Sequence, residues 1–598
     1  MMARRRTIEN HITDVEMNRR QFLQAGTALL PLSLRAGTAR AEDVATQATE
    51  EFWKPLAAKL GHKLQPVDWP IADCLADPAG RACADFFRSV RNPYFLGDHA
   101  GLTQSFGWVG AWTTAPSDRV VIAESADDIA TAVGFARQNG IRIAVKGGGH
   151  SYKGGSNAEG SLLVWTRRMR SIVLHDTFTP LGTAEAGVPA VSIGAGAMWG
   201  DVYRAVSVEA GRYVQGGGCL TVGVAGLVQG GGFGSLSKAY GIAAASLLEA
   251  EIVTADGAVR VVNAVREPDL FFALKGGGGG SWGIVSRLTL RTHALPTTIG
   301  AVFLKVRARD GGAYRTLVST FLAFYRDALF NPRWGEQVRF APDNTLAVSM
   351  LFSDLAQAEA EGVWAPFLAE IQAQPALFEI TEEPQVLAVP GRSFWDPAFL
   401  KTLPGVVLSD DRPGADPDRI FWASNREEAG QVIHAYQSAW IPARHLDDGA
   451  LAAFSAAIVA ASRHWSLSLH ANKGLAGAPD AVREAAKTTA MNPAVTDAFA
   501  LAICGAEGPP AYPGIAGHEP DRAQATQDAR RVSAAMGALK AGVETTGCYL
   551  AESDFFEPGW QQAFWGDNHD RPARIKRTYD PPVSSPCTTA SKAAGERS

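Results

Sequence analysis

In the stretch from Ile141 to Asn157, IRIAVKGGGHSYKGGSN, a short apolar run leads into three glycines and then a histidine, His150. Glycines let backbone approach a ligand closely. A histidine among them carries an ionisable, nucleophilic ring to the same place. A second glycine run, QGGGCLTVG, ends in a thiol, Cys219, and 219 − 150 = 69 residues separate the two. Successive N–H groups on such loops bind phosphates, and three ligand chemistries compete. A P-loop needs Gly-Lys-Ser/Thr, and the chain has no Gly-Lys dipeptide. A nicotinamide-binding turn could be read from IGAGAMWG, with Gly194, Gly196 and Gly200 between a strand and a helix. No acidic residue closes a following strand at the distance that site requires. A flavin meets both features: its pyrophosphate needs glycine loops, an imidazole can attack its 8α-methyl carbon, and a thiolate can attack its C6. The bland alternatives are a loop histidine with a satisfied ring and a cysteine serving as a small buried hydrophobe.

These residues need elements to hold them. RVVIAES reads as a strand, and SADDIATAVGFARQNG as a helix with Ser125 as N-cap, Asp127 and Asp128 in the first turn and Gly140 at the end. Its apolar positions Ile129, Val133 and Ala136 share one face. IRIAV is a second strand, so a βαβ-like unit delivers the His150 loop at a strand's C-terminal end. The pair Asp256-Gly257 between apolar runs predicts a hairpin. Glycine bunching stops near Leu295, which marks a domain boundary. Farther on, HWSLSLHAN (His464 to Asn472) alternates strictly, with Ser466, Ser468, His470 and Asn472 on one face. On pattern alone that polar face is expected to meet solvent.

Composition bounds the rest. The 598 residues are 46% hydrophobic and 20% charged, with a net charge of −5 and no basic block, which argues against nucleic-acid binding. Six cysteines are too few for a disulfide scaffold. Cys74 and Cys83 could form a local bridge if the protein is exported, whereas Cys504, Cys548 and Cys587 read as isolated structural thiols. No metal-ligand spacing is present. NRRQFLQ, the apolar run AGTALLPLSL and the small-x-small site Ala39-Arg40-Ala41 read as a twin-arginine signal peptide over 1–41, with Met17 as an alternative start. The product is then periplasmic or secreted, having met the export machinery in transit. No run is long enough to span a membrane.

Four segments, VKGGGHSYKGGSNAEGSLLVWT, YVQGGGCLTVGVAGLVQGGGFGSLSKAYG, DLFFALKGGGGGSWGIVSRLTL and WQQAFWGDNHDRPARIKRTYDP, resemble the berberine-bridge-enzyme-like FAD-linked oxidases of the vanillyl-alcohol-oxidase (PCMH-type) superfamily, over roughly Tyr94 to Pro581. The resemblance implies an α+β fold: a two-lobed PCMH-type FAD-binding domain, then a substrate domain with an antiparallel sheet backed by helices. It divides the chain into an N-terminal segment (42–90), the FAD-binding domain (91–296), the substrate domain (297–544) and a returning C-terminal segment (545–581). His150 and Cys219 fall on the family's two attachment positions, which implies FAD held bicovalently. Further cofactor contacts are implied at Gly147, Gly148, Gly149, Ser151, Asn157, Gly216, Gly217, Gly218, Thr221, Val222, Gly223, Gly226, Gly230, Gly231 and Ile252. Many members carry Tyr-x-Asn-Tyr near the C-terminus. Here YLAE keeps Tyr549 but has Ala551 and Glu552 in the other places, so Glu552 and Tyr549 become the candidate bases. The same family implies that His470 and Asn472 could roof the flavin. The implied reaction is hydride transfer from a small alcohol, sugar or secondary metabolite to FAD, with O2 as acceptor and H2O2 released. Valine at 222, where the family controls oxygen access, favours an oxidase. A dehydrogenase with another acceptor and a non-catalytic flavin binder are the alternatives. The resemblance stops at Pro581. The tail 582–598, small and polar, reads either as a genuinely divergent disordered end or as the product of a frameshift.

Overall fold

The structure is a computed structural model and describes residues 49–581. The segment read as a signal peptide, the tail 582–598 and Cys587 lie outside these residues. In the first lobe of the flavin domain the strands Arg119–Ile122, Ser161–Trp165 and Arg142–Lys146 run parallel in that spatial order. The helix Ala126–Asn139 covers them, buries Ile129, Val133 and Ala136, and starts in a reciprocal capping box between Ser125 and Asp128. Gly140 ends it at φ 66°, in the left-handed region that suits glycine. The second lobe is an antiparallel sheet ordered Val259–Asn263, Leu247–Val253, Ile284–Ala294, Val188–Gly194 and Ile172–Phe178. Its first two strands form the hairpin expected at Asp256-Gly257, with Gly257 at φ 82°.

The glycines of IGAGAMWG serve chain packing. A Cβ on Gly196 would lie 1.8 Å from the carbonyl oxygen of Thr166, and one on Gly194 would lie 2.3 Å from that of Met169. The turn is therefore pressed against the backbone that leaves the first lobe.

The substrate domain is built on a nine-stranded sheet that includes Thr298–Ala308, Thr345–Ser353, Trp334–Phe340, Leu467–His470, Ala498–Gly508 and Gln431–Pro442 in that order. Helices Gly311–Phe324, Gln357–Gln372, Asp448–Ser462 and Arg522–Gly542 supply the other half of its apolar core. Two boundaries differ from the sequence expectation. Ser105–Trp108 and Trp112–Thr113, from the segment assigned to the flavin domain, extend the substrate sheet beyond Gln431–Pro442. Leu64–Pro66, from the N-terminal segment, edges the first-lobe sheet by pairing with Arg119–Val121. Short strands at sheet edges carry no periodic signal of their own. Cys74 and Cys83 form the local disulfide, with Cα atoms 4.6 Å apart. The C-terminal helix Asp570–Tyr579 does return to the flavin domain, where Ile575 enters the second-lobe core and Arg571 pairs with Asp269 at 2.8 Å. Among the described residues no helix is long and apolar enough to cross a membrane.

A small hairpin, Val407–Ser409 with Ile420–Trp422, straps the substrate domain across the Cys219 loop. Its anchor is Asp98. Oδ1 of Asp98 accepts from Arg167 Nη2 at 2.7 Å, and Oδ2 accepts from Arg412 at 2.7 Å and Arg419 at 2.9 Å. Asp410, its side chain fully buried, holds Arg412 a second time at 2.7 Å. Burial pushes the Asp98 carboxyl up, but the charges and hydrogen bonds of the three arginines outweigh it and hold the group at about 2. A depressed carboxylate stabilises the fold above its unfolded value and loses that contribution as pH falls through its folded one. Asp98 therefore contributes fully above about pH 4 and little near pH 2, worth about 1–2 kcal/mol after allowance for its partial exposure. Asp98→Asn is expected to lower the denaturant midpoint at pH 6 and to close about half of that gap at pH 3. A gap of equal size at both pH values would show that the ion-pair network does not carry the effect.

Candidate functional site

The loops bearing His150 and Cys219 meet through backbone. A Cβ on Gly148 would stand 2.8 Å from the Gly223 nitrogen and 3.2 Å from the Thr221 oxygen, so neither loop tolerates a side chain there. Gly149 is at φ 77°, and the chain turns outward to His150. Under this loop Lys146 is fully buried, its ammonium donating to the carbonyls of His99 (2.6 Å), Ala100 (3.3 Å) and Leu102 (2.5 Å). With all three donors engaged, Lys146 is a brace for the loop and not a phosphate ligand.

Thr221 joins the two expected attachment residues. Its Oγ1 lies 3.3 Å from His150 Nε2 and 3.5 Å from Cys219 Sγ. Burial pulls the His150 imidazole down to about 4, so the ring is neutral near pH 7, the form a nucleophile requires. Burial, then the charge of Glu428, pushes the Cys219 thiol up to about 11, while Thr221 and backbone N–H groups act the other way. The strap covers this thiol: Asn425 Oδ1 is 3.3 Å from Cys219 Sγ, and Trp422 Nε1 donates to the Gly218 oxygen at 2.8 Å.

The other expected contacts fall into two groups. Ser151, Thr221, Val222 and Gly218 keep accessible surface or line the space beside His150 and Cys219, and Gly226 has nothing within 4 Å of an added Cβ. Others have a packing reason of their own. Gly216 is backed by the Trp199 ring, Gly217 by Leu227 and Gly231 by Met491, each closer than 2.5 Å to an added Cβ. Gly147 lies against the Ala195 oxygen, and Gly230 against the turn that precedes it. Asn157 is buried and spends its amide on Ala100 (2.9 Å) and Ser117 (3.2 Å). Ile252 is a core residue of the second lobe.

Facing these loops is the polar side of the substrate sheet. The solvent expectation for the His470–Asn472 face fails, because the strand lies inside the sheet between Trp334–Phe340 and Ala498–Gly508 and its polar face turns toward the flavin domain. Asn472 is 2% exposed and donates to the Gly234 oxygen at 3.2 Å. Its Oδ1 is buried without a partner among the described residues. Burial drives the His470 imidazole well below its ordinary range, so that ring is neutral. Glu552 projects from the turn after Tyr549, and its Oε2 accepts from Lys473 Nζ at 2.5 Å. Tyr549 is placed differently: it is buried against Phe233 and Trp440, and its hydroxyl accepts from the Gly232 N–H at 3.3 Å.

Several residues here escaped sequence reasoning. Tyr152 follows His150 by two positions, and its ring centroid lies 5.4 Å from that of Tyr436. Burial, then Glu428 and Glu552, holds the Tyr152 hydroxyl well above its ordinary value. Glu428, Glu507 and Glu336 are also pushed up, burial being the largest cause in each. Glu336 has the left-handed φ of 64°, a conformation costing on the order of 1 kcal/mol or more for a residue with a side chain. Only Tyr152 and Lys473 had a local signal, being next to residues already singled out.

The arrangement fits a flavin. A neutral imidazole and a thiol converge on one hydroxyl, two glycine loops offer bare backbone beside them, an orphaned amide oxygen and a lysine come from the end of a facing strand, and the C-terminal turn adds a carboxylate.

Comparison with known proteins agrees. The family description "FAD binding domain" matches residues 117–263, and "Berberine and berberine like" matches residues 548–582. The FAD-linked oxidoreductase easE of Arthroderma otae is 33% identical over 300 residues, 46% of this chain and 49% of that protein, so the match spans about half the relative's length. The VAO-type flavoprotein MtVAO615 of Myceliophthora thermophila superposes with a TM-score of 0.72 at 23% identity, over 92% of this chain and 96% of that one. Glucooligosaccharide oxidase of Acremonium strictum, described with a 6-S-cysteinyl, 8α-N1-histidyl FAD, superposes with a TM-score of 0.59 at 18% identity, over 86% and 98%. The chain thus carries an FAD-binding domain and a berberine-like C-terminal segment, and its fold is that of vanillyl-alcohol-oxidase-type flavoproteins.

Proposed function

We propose that the protein is an exported oxidase that holds FAD through both His150 and Cys219, takes hydride from a CH–OH group and uses O2 as electron acceptor, releasing H2O2. The observation that carries the reading is the convergence of His150 Nε2 and Cys219 Sγ on Thr221 Oγ1, at 3.3 and 3.5 Å. Two bonds to the same ring system need both groups on one side of it, and one shared hydroxyl brings that about. The two linkages named for the Acremonium enzyme are of the same two residue types. Chitooligosaccharide and xylooligosaccharide oxidases share the fold and support the CH–OH class. Export is supported by the twin-arginine motif together with the Cys74–Cys83 disulfide, a bond that persists in oxidising compartments.

FAD bound at this site supplies the hydride-accepting chemistry. The chain supplies position and proton handling. Glu552 is the candidate base: Lys473 holds its Oε2, and Oε1 has no hydrogen-bond partner among the described residues, which leaves that oxygen to take the substrate's hydroxyl proton. His470, neutral and half-buried, and Asn472 flank the substrate from the sheet. Tyr549 supports from behind, fixing the Gly232 turn through its hydroxyl. Val222, small and half-buried three residues after Cys219, supports O2 as the acceptor through the family resemblance alone.

The purified protein is expected to stay yellow after acid precipitation, with flavin found on the tryptic peptides of both His150 and Cys219. His150→Ala should leave a cysteinyl flavin, and the double change with Cys219→Ala should leave one that acid releases. Complete release from the parent would sink the bicovalent reading. Glu552→Gln is expected to slow anaerobic flavin bleaching by about 10²–10⁴-fold with whichever alcohol or sugar of a screened panel the parent oxidises. A loss under about threefold would remove Glu552 as the base. Turnover with O2 compared with an artificial acceptor separates oxidase from dehydrogenase.

A further inference from the structure

Glu336 has no part in the reading above, and its placement is hard to explain by packing. In the strand Trp334–Phe340, Trp334, Val338 and Phe340 point into the apolar core and are 2%, 3% and 0% exposed. Glu336 has the same parity, so regular alternation would drive its carboxylate into that core. The left-handed φ of 64° re-aims it instead. The side chain emerges toward the flavin domain, where Oε1 accepts from Ser235 Oγ at 2.5 Å and from Asn472 Nδ2 at 3.3 Å. An added Cβ on Gly218, the residue before Cys219, would be 4.0 Å from the same oxygen. Oε2 has no partner among the described residues, yet it keeps accessible surface, since it is not among the sealed unsatisfied atoms.

A mere tie between domains does not require this. A glutamine oxygen would accept from Ser235 and Asn472 equally well and would bury no charge. A half-buried carboxylate with one bare oxygen is unfavourable unless something supplies a donor. The carboxylate that carries it lies beside the Cys219 loop and Asn472, the two walls of the proposed reaction space.

We propose that Glu336 is a specificity-determining residue: its free carboxylate oxygen accepts a hydrogen bond from a hydroxyl or ammonium group of the substrate and repels anionic groups from the flavin. The inference rests on the flavin reading given above. Acids and phosphorylated sugars are then poor substrates, and neutral polyols or amines are accepted.

Sulfite tests this without knowledge of the substrate, because it is a small anion that adds reversibly to oxidised flavin and bleaches its visible band. The holoenzyme is compared with Glu336→Gln, which keeps the acceptor for Ser235 and Asn472, and with Glu336→Gly, which also removes the backbone strain. The sulfite dissociation constant is expected to fall about tenfold in each variant that folds, the effect of removing one charge at roughly 10 Å in a partly buried site. The melting temperature of Glu336→Gly is expected to match or exceed the parent's. Sulfite affinity within about twofold of the parent, with a lower melting temperature in both variants, would overturn the proposal and leave Glu336 as an interdomain tie. A parent that carries no flavin would overturn the underlying reading itself, whereas a parent that binds sulfite as its variants do overturns only this inference.

Discussion

A side chain on Gly148 would put its Cβ 2.8 Å from the amide nitrogen of Gly223, and one on Gly223 would meet the nitrogen of Gly148 at the same distance. Two loops from different lobes thus touch through bare backbone. Their contact fixes where His150 and Thr221 stand relative to one another, and Thr221 in turn fixes Cys219. Beneath the first loop, Lys146 anchors three carbonyls of residues 99–102. Beneath the second, Gly216 and Gly217 admit Trp199 and Leu227 to within 2.5 Å of where their side chains would begin. The glycines therefore do two jobs. Some bring the loops together, and others let large core side chains support those loops from behind.

Charge is distributed unevenly around this contact. On the strap side, Asp98 and Asp410 are matched by Arg167, Arg412 and Arg419, and close hydrogen bonds repay their burial. Toward the proposed reaction space, Glu336 and Glu428 feel the ammonium of Lys473, which pairs directly with Glu552 alone, and Glu507 feels His434 and Arg339. Desolvation is the largest influence on Glu336, Glu428 and Glu507; it outweighs Lys473 at the first two and His434 and Arg339 at the third, whereas three arginines outweigh it at Asp98. The first arrangement stabilises a fold; in the second, Glu336, Glu428 and Glu507 keep a preference for a proton, or for a donor from outside, that is left unmet. That asymmetry separates structural from functional charge in this molecule.

The parts of the fold that were legible in the sequence are those governed by local rules. The Ser125 capping box, the Gly140 stop, the Asp256-Gly257 hairpin and the buried stripe Ile129, Val133, Ala136 follow from chemistry within a few residues. His150 and Cys219 were legible because glycine runs announce close backbone approach. Long-range placement was not. Nothing local tells that Leu64–Pro66 edges one sheet and Ser105–Trp108 extends another, since both pairings are set by partners more than fifty residues away. The polar face of His464 to Asn472 was read as solvent-facing because alternation shows that two faces differ, not what the polar one meets. Asn425 and Glu428 come from the strap, whose position depends on Asp98, a residue more than three hundred positions earlier.

The substrate sheet shows why such a site can be rebuilt without unmaking the fold. Along Leu467–His470 and Ala498–Gly508, Leu467, Leu469, Ala500 and Ala502 enter the helix-backed core, while His470, Leu501, Ile503 and Glu507 turn the other way. With a period of two, each strand separates stability from chemistry residue by residue. The helix-backed face and the outward face belong to separate buried clusters, so a polar group on the outward face, such as His470, does not enter the larger core. Glu336 is the exception that exposes the rule. Its parity belongs to the core, its chemistry belongs to the site, and only a left-handed backbone reconciles the two. A residue that breaks the alternation, at a cost to its own backbone, is the place where the demands of the reaction space have reached into the scaffold.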